Sequence, residues 1–377
     1  MKINIASPKI GKEEIKAVTE VLKSGMLAQG PKVSEFEEKF ARFIGVKYAI
    51  ATSSGTTALE IALRAAGIGP DDEVITSPFT FIASANSILF TGARPVFADI
   101  VEQTFNLDPD KIEAKITKKT KAIMPVHLYG NACAMTKIMV IAKKRKLAII
   151  EDACQAHGAE WGGKKVGSFG LAGAFSLYPT KNMTTGEGGM ITTNSKEIYD
   201  KANLLRAHGS KIKYYHDILG YNYRMTDIEA AIGIEQLKKL NKFNNLRIKN
   251  AKYLNKNLSK IPGIIMPEAQ AGAKHVYHQY TIRITPEFAC PPKPWRRRGL
   301  TRDEVLAKLT EAGIGTAVFY PLPINEQKVY KDLDYKSNTP IAEKVSQEVI
   351  SLPVHPGLKE KDLKYIVKNF EKISKDK

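Results

Sequence analysis

The chain has 377 residues, of which 43% are hydrophobic and 25% are charged, and this composition is ordinary for a soluble globular protein. Its 57 lysines and arginines outnumber 39 aspartates and glutamates, which gives a formal net charge of +18. An apolar run of about 18 residues, which a membrane-spanning helix needs, is absent, and three cysteines without CxxC spacing argue against a disulfide scaffold and a zinc site.

From residue 46 to residue 195, short apolar runs alternate with amphipathic stretches. The apolar runs predict β-strands, whereas apolar residues three or four positions apart predict α-helices. This alternation is typical of βαβ units, so we expect a mainly parallel and buried sheet. The strands are predicted at residues 47–51, 73–76, 95–98, 122–126, 147–151 and 190–193, with another leading into Lys181, and the helices at 56–66, 82–89, 109–116 and 135–146.

After residue 195 the pattern becomes mainly helical, over residues 195–205 and 226–254. Residues 278–284 alternate like a half-buried strand, and helices are predicted at 302–312 and from about residue 360. The sequence therefore predicts an α/β fold with two domains, a large one at residues 1–250 and a smaller α+β domain at residues 251–377.

The positive charge is spread along the chain except for one cluster, Lys293–Arg298. A charge excess of this size fits nucleic acid, an anionic membrane surface or an anionic small substrate. No recognition-helix or RNA-module pattern accompanies the cluster, so we interpret Arg296–Arg298 as part of a solvated loop rather than a phosphate-binding patch. We expect no nucleic-acid partner and no membrane insertion. The first residues lack the apolar core of a signal peptide, which predicts a cytoplasmic protein.

A candidate anion site lies where the segment Ser53–Thr57 follows a strand and opens a helix. Free N–H groups and the helix dipole attract an anion there; Gly55 permits close approach and Thr56 adds a hydroxyl. An ordinary helix N-cap is the alternative interpretation, and it is favoured if the segment is taken alone. Ser176, on the strand before Lys181, offers a second hydroxyl or is simply a small buried residue.

A lysine and an aspartate are predicted at the ends of two strands. Asp152 ends one strand, and Lys181 lies in the turn-rich loop after another. In an α/β sheet, ligands bind at the carboxyl ends of the strands. Pyridoxal phosphate requires such a pair, because the lysine forms a Schiff base and the aspartate keeps the pyridine nitrogen protonated. The alternatives are a solvated surface lysine and an N-cap aspartate. At the predicted site, burial and a nearby cation would lower the pKa of Lys181.

Three further residues belong to the candidate site. Phe81 follows the strand at 73–76 and could stack on a planar ring, although core packing is the alternative. Gln155 and His157 lie within one helical turn of Asp152, where they could fix its orientation or contact a cofactor hydroxyl. A structural role for the histidine is as well supported.

At these residues the sequence resembles the DegT/StrS family of pyridoxal phosphate-dependent nucleotide-sugar aminotransferases. The resemblance covers nearly the whole chain, and its most specific parts are Glu151–Gly158 and the loop around Lys181. It also includes residues 24–31, 36–37, 54–59, 126–130, 208–209, 220–225 and 230–233.

The resemblance implies a fold type I transferase with pyridoxal phosphate in the large domain, and a homodimer whose active sites lie at the subunit interface. Asn222 matches the asparagine that reaches the partner's cofactor phosphate. Phe81 matches the position that stacks on the cofactor ring, and Gln155 a contact near its hydroxyl. The predicted catalytic residues are Lys181 and Asp152, no metal site is expected, and the predicted cofactor-binding residues are Ser54, Gly55, Thr56, Phe81, Asp152, Gln155, Ser176, Lys181 and Asn222.

The implied activity is transfer of an amino group from L-glutamate to a nucleotide-linked keto-sugar, as in amino-sugar and surface-polysaccharide biosynthesis. Lys181 would serve as the base and acid of the proton shift. Some relatives have a histidine there and act as dehydratases, so the lysine favours transamination. A dehydratase or cyclitol aminotransferase of the family and a non-enzymatic basic regulator are the alternatives. Asn325 replaces a histidine common in relatives, so substrate contacts of that loop are not carried over.

Overall fold

Fifteen β-strands occur in the described part of the chain, residues 1–289 and 299–375 of a computed structural model. The basic cluster Lys293–Arg298, which the sequence predicts to be part of a solvated loop, lies outside the described residues, as does Cys290. The strands are β1 (Tyr48–Thr52), β2 (Glu73–Thr76), β3 (Arg94–Phe97), β4 (Thr120–Met124), β5 (Ala148–Asp152), β6 (Glu160–Trp161), β7 (Lys164–Lys165), β8 (Ala172–Ser176), β9 (Gly189–Thr193), β10 (Ser210–Ile212), β11 (Tyr215–His216), β12 (Ile264–Ile265), β13 (Ala273–Lys274), β14 (Tyr280–Ile284) and β15 (Val349–Leu352).

Seven of these strands form the central sheet, in the order β1-β9-β8-β5-β4-β2-β3. Strands β3, β2, β4, β5 and β8 pair in parallel, while β9 runs antiparallel to both of its neighbours, β8 and β1. The predicted α/β fold with a mainly parallel sheet is therefore confirmed. Because β1 runs in the same direction as the other parallel strands, its carboxyl end lies at the same edge as theirs.

Eleven α-helices accompany the strands in the described residues, and none of them is both long and apolar enough to cross a membrane. Helix α3 is buried along nearly all of its length, because it packs on the sheet through alanine, leucine and isoleucine side chains. The helices are α1 (Lys12–Ser24), α2 (Pro31–Ile44), α3 (Gly55–Ala65), α4 (Ala83–Phe90), α5 (Met135–Arg145), α6 (Lys196–Arg206), α7 (Asp227–Leu258), α8 (Arg302–Glu311), α9 (Lys328–Asp332), α10 (Pro340–Glu348) and α11 (Glu360–Ile373).

The predicted helix at residues 109–116 is wrong, because the segment forms two short 3-10 turns, Pro109–Lys111 and Glu113–Lys115. The N–H of Ile112 donates to the carbonyl of Pro109, and the N–H of Lys115 donates to that of Ile112. Apolar residues spaced four apart suggested an α-helix, but each of these turns closes over three residues.

The C-terminal part, which we define as residues 251–289 and 299–375, has a hydrophobic cluster of its own. This cluster unites the end of α7 with α8, α11 and the sheet β12-β14-β15, and Ile3 joins it from the N-terminus. Other clusters lie around the central sheet. The separation supports the predicted division after residue 250, which stays a prediction.

Strand β14 is buried along its whole length, although the alternating pattern predicted a half-buried strand. It lies between β12 and β15, so both of its faces are covered. Its apolar residues enter the C-terminal cluster, and its polar residues find partners on the other face. The Thr281 and Ser351 hydroxyls are 2.7 Å apart, and the Arg283 guanidinium lies 2.6 Å from a carboxylate oxygen of Glu348. Alternation here separates apolar from hydrogen-bonded residues rather than buried from exposed ones.

A buried carboxylate fixes the loop between β7 and β8. Glu151 on β5 is fully buried and accepts hydrogen bonds from the N–H groups of Gly167, Phe169 and Gly170 at 2.7 to 2.8 Å. The Nε2 atom of His127 lies 3.1 Å from the same carboxylate. Four polar contacts offset the cost of burying this charge, so the side chain anchors the chain segment that leads into β8.

We predict that Glu151→Gln lowers the free energy of unfolding by about 2–4 kcal/mol, because an amide NH2 then faces backbone donors inside the protein. Urea unfolding of the apo-protein, followed by circular dichroism, measures the change. The matched control is Glu38→Gln, which alters an exposed ion pair with Arg42 and leaves stability nearly unchanged. Equal stability of the two variants would contradict this account of Glu151.

Candidate active site

A cavity of about 370 Å³ lies where the carboxyl ends of β1, β2, β4, β5 and β8 meet. The structure brings eight of the nine predicted cofactor-binding residues to its wall. They are Ser54, Gly55, Thr56, Phe81, Asp152, Gln155, Ser176 and Lys181.

The first turn of α3 forms one end of the cavity. The Ser54 hydroxyl accepts a hydrogen bond from the N–H of Thr57 at 3.1 Å, so this residue is indeed an N-cap. The N–H groups of Gly55 and Thr56 precede the first intrahelical bonds and remain available to an anion. A side chain at Gly55 would place its Cβ 2.6 Å from the Cβ of Ser176, so only glycine lets the turn approach β8 this closely. The N-cap and the anion site are therefore compatible.

The Asp152 carboxylate is held by two donors. Its Oδ2 accepts a 2.6 Å hydrogen bond from the Ser84 hydroxyl, and its Oδ1 accepts one from the N–H of Cys154 at 3.1 Å. Ser84 lies on α4, where its hydroxyl is also 3.0 Å from that of Thr80. Asp152 is 4% exposed, and these contacts fix the direction in which it faces the cavity. Ser84 was not among the predicted site residues, although it lies three residues after Phe81, which is about one turn of a helix.

His157 does not orient Asp152. The imidazole is fully buried, with its ring centre 5.3 Å from that of Phe175 and 6.5 Å from that of Phe40. Burial lowers the pKa of His157 to about 3, so the ring is neutral. It packs behind the cavity wall, and the structural alternative for this residue is the one that the packing supports.

Lys181 lies half-buried in the loop between β8 and β9. Burial lowers the pKa of its amine below the ordinary value, while the Cys154 thiol and the Asp152 carboxylate favour the charged form. The predicted direction and its first cause, burial, therefore agree with the structure. The predicted nearby cation is not found in the described residues. The groups that act on the Lys181 amine there, Cys154 and Asp152, are acidic. An amine with a lower pKa is deprotonated, and therefore nucleophilic, at a lower pH.

Phe81 and Gln155 both line the cavity. Phe81 is 53% exposed at the cavity mouth, so core packing does not explain it. The Gln155 side chain is held at both ends: its Oε1 accepts from the N–H of Tyr129 at 2.9 Å, and its Nε2 donates to the Tyr320 hydroxyl at 3.1 Å. Tyr320 and His278 come from the C-terminal part and also line the cavity. Neither residue was among the predicted cofactor-binding residues, because only the tertiary fold brings them to the sheet.

Asn222 is the one predicted cofactor-binding residue that does not line the cavity of its own chain. Its side chain is exposed, and its Oδ1 accepts a hydrogen bond from the Nε of Arg224 at 3.1 Å. The neighbouring hairpin of β10 and β11 exposes the side chains of Tyr214 and Tyr215, and Leu219, just after the hairpin, is exposed as well. An exposed asparagine beside an apolar hairpin fits a residue that acts in another copy of the chain.

Asn325, which replaces the common histidine, is buried and lies outside the cavity wall. Its amide lies 3.4 Å from the Ser337 carbonyl and 3.4 Å from the Thr339 hydroxyl. It therefore packs within the C-terminal part and makes no contact with the cavity. Among the described residues, no group of three or more histidine, cysteine or acidic side chains could hold a metal ion.

A model of the DegT/DnrJ/EryC1/StrS aminotransferase family matches residues 8–371. The chain is 44% identical to a pleiotropic regulatory protein of Geobacillus stearothermophilus, over 95% of this chain and 93% of that one. It is 39% identical to the UDP-N-acetyl-3-dehydro-alpha-D-glucosamine 3-aminotransferase of Acidithiobacillus ferrooxidans, over 93% and 91%. The solved structure of Spr1654 of Streptococcus pneumoniae, in its PLP form, covers 99% of both chains with 29% identity and a TM-score of 0.91.

We predict that Gly55→Ala weakens pyridoxal phosphate binding by roughly tenfold or more, because the added methyl group must displace Ser176 or the first turn of α3. Equilibrium dialysis of the apo-protein against the cofactor measures the dissociation constant. Gly69→Ala is the matched control, since no atom lies within 4 Å of the Cβ that it would add. A Gly55→Ala variant that binds as tightly as the control would rule out this turn as the phosphate site.

Proposed function

The chain belongs to the DegT/DnrJ/EryC1/StrS aminotransferase family, and we propose that it moves an amino group from L-glutamate to a keto-sugar linked to a nucleotide. Its enzyme class, a pyridoxal phosphate-dependent aminotransferase, follows from the family and from the solved structures that it resembles. One observation carries the proposal for the site: an amine, a carboxylate and a helix N-terminus surround one cavity of about 370 Å³.

The residues around the cavity fit pyridoxal phosphate. The turn at Gly55 and Thr56 offers backbone N–H groups for the phosphate, and the Ser176 hydroxyl lies beside it. The Asp152 carboxylate, fixed by Ser84, is a suitable acceptor for a protonated ring nitrogen. Phe81 offers an exposed aromatic face for the ring. We propose these roles for the residues named.

When bound, pyridoxal phosphate supplies the electron sink that stabilises negative charge on the substrate carbon. The Lys181 amine would hold the cofactor and, when free, would serve as the base and acid for the proton that moves during transamination. Its lowered pKa suits both tasks, because a neutral amine is the form that attacks and the form that accepts a proton. The Asp152 carboxylate would accept a hydrogen bond from the protonated ring nitrogen and so would keep the ring in one orientation.

The proposed acceptor is a keto-sugar because a relative that shares 39% of its residues is named for amination of a UDP-linked 3-dehydro sugar. The formal net charge of +18 is compatible with an anionic diphosphate substrate. L-Glutamate as the donor is carried over from the family resemblance, as is the role in amino-sugar and surface-polysaccharide biosynthesis. A cytoplasmic location, predicted from the sequence, stays a prediction.

We further propose a homodimer in which Asn222 of each copy completes the site of the other. Two observations support this proposal. Asn222 is exposed and does not line the cavity of its own chain. It also lies next to an apolar hairpin whose side chains would be exposed to solvent in a monomer. Two copies related by a twofold axis would form two equivalent shared sites.

The alternative activities are a dehydratase or cyclitol aminotransferase of the family, and a regulator without catalysis. Lys181 in the cavity favours transamination over dehydration. The relative named as a pleiotropic regulatory protein keeps the regulator in consideration, but the buried amine and carboxylate support an enzyme.

We predict that the protein releases 2-oxoglutarate from L-glutamate when one member of a panel of nucleotide-linked keto-sugars is present. Lys181→Ala should reduce kcat by at least roughly a thousandfold, because it removes the amine proposed to move the proton. Lys16→Ala, which removes an exposed lysine, is the control. Full turnover by the Lys181→Ala protein would defeat the mechanism, while salt-dependent DNA binding without any turnover would favour the regulator.

A complementation experiment tests the shared site. Lys181→Ala and Asn222→Ala should each be nearly inactive as homodimers, because every site lacks one required residue. In an equal mixture that is unfolded and refolded together, mixed dimers have one site with both native residues, so about a quarter of the native activity should return. If the two residues acted within one chain, no site in the mixture would be complete and activity would stay absent.

A further inference from the structure

Tyr320 is a cavity residue whose role the family relationship leaves unassigned. It belongs to an extended segment of the C-terminal part, which is linked to β15 by a bridge between Ala317 and Ser351. Its ring nevertheless lines the cavity formed by the strand ends of the central sheet. The residue thus connects the C-terminal part with the groups that surround the cofactor.

The hydroxyl of Tyr320 fixes the orientation of an amide. Gln155 donates from Nε2 to this hydroxyl at 3.1 Å, and its Oε1 accepts from the N–H of Tyr129 at 2.9 Å. The carbonyl end of the amide is therefore turned towards Tyr129, and the NH2 group towards Tyr320 and the cavity. An amide nitrogen carries two hydrogens, so one N–H remains for a ligand after Tyr320 has taken the other.

The position of Tyr320 is itself fixed by contacts with the large part of the chain. Its ring centre lies 6.2 Å from that of Phe81, at an interplanar angle of 35°, and 6.3 Å from that of Phe79. The Tyr129 hydroxyl donates to the carbonyl of Phe319, the preceding residue. Tyr129 thus holds both the Gln155 amide and the backbone next to Tyr320.

We propose that Tyr320 is a positioning residue: its hydroxyl holds the Gln155 amide so that the remaining N–H is directed at the ring hydroxyl of pyridoxal phosphate. The inference rests on the proposed contact of Gln155 near that hydroxyl and adds the residue that enforces it. Without the Tyr320 hydroxyl, the amide could rotate and the donated hydrogen bond would be lost for part of the time. Tyr320 acts through Gln155 and moves no proton itself.

Burial raises the pKa of the Tyr320 phenol, so the hydroxyl stays protonated over the working range of the enzyme. A hydrogen bond donated to the cofactor oxygen stabilises its deprotonated form and so lowers its affinity for a proton. Weakening that bond must raise the pH at which the bound cofactor loses its proton. The ionisable groups that line the cavity around this contact are Tyr129, Asp152, Cys154, Lys181, Glu187, His278 and Tyr320.

The test is a pH titration of the visible absorbance of the holoenzyme, without substrate. We expect the midpoint of Tyr320→Phe to lie roughly 0.4 to 1 pH unit above the native value, the scale of one weakened hydrogen bond. Tyr335→Phe removes the same atom from a tyrosine of the C-terminal part that packs over Arg94, outside the cavity wall, and should leave the midpoint unchanged.

A double-mutant cycle separates the two residues. Gln155→Leu should raise the midpoint at least as far as Tyr320→Phe, and adding Tyr320→Phe to it should have no further effect. A native midpoint in Tyr320→Phe together with a raised one in Gln155→Leu would overturn the role of Tyr320 and leave that of Gln155 standing. Native midpoints in both would overturn the proposed Gln155 contact as well. Additive shifts would show that Tyr320 acts independently of Gln155, which also contradicts the proposal.

Discussion

The site depends on one constraint, that parallel strands with helical connections end at the same edge of a sheet. Residues that are far apart in the chain, such as Gly55, Asp152 and Lys181, face one cavity because each follows a strand of that sheet. The antiparallel strand β9 extends the sheet without disturbing this arrangement. Its pairing with β8 returns the chain to the sheet after the Lys181 loop, residues 177–188, in which Lys181 itself is half-buried.

Burial has opposite consequences for the two charged groups that this edge brings together. The Lys181 amine loses solvation, and its pKa falls, which makes it a better nucleophile. The Asp152 carboxylate is also buried, but donors from Ser84 and Cys154 replace the lost water. The fold thus gives the Asp152 carboxylate two hydrogen-bond donors, while burial lowers the pKa of the Lys181 amine. Glu151, the preceding residue, is satisfied in the same way on the opposite face of β5, where it holds a loop instead of a ligand.

The parts of the site that follow from local sequence were predictable, and the parts that follow from tertiary contacts were not. Strand ends, a glycine before a helix and a lysine in a turn are local signals, and they located residues such as Gly55 and Lys181. His157 was misleading because its spacing from Asp152 said nothing of the direction of its ring, which packs against Phe175. Tyr320 was not predicted as a cofactor-site residue, because its place in the cavity depends on how the C-terminal part packs on the sheet.

The same distinction explains why the cofactor is easier to infer from this sequence than the substrate. The groups proposed for the cofactor lie at the edge of one sheet, whose geometry the strand pattern dictates. The other cavity walls come from His278 and Tyr320 in the C-terminal part, and the proposed dimer adds Asn222 from a second copy. These walls come together only when the C-terminal part packs on the sheet and when the proposed dimer forms. The spacing of apolar residues along the sequence predicts neither contact. Asn325 illustrates the point: the sequence carried over no substrate contact for it, and only the packing of the C-terminal part shows that it is buried beside Ser337 and Thr339. Tyr320, which contacts both Gln155 and Phe81, connects the C-terminal part to the cavity wall that the central sheet provides.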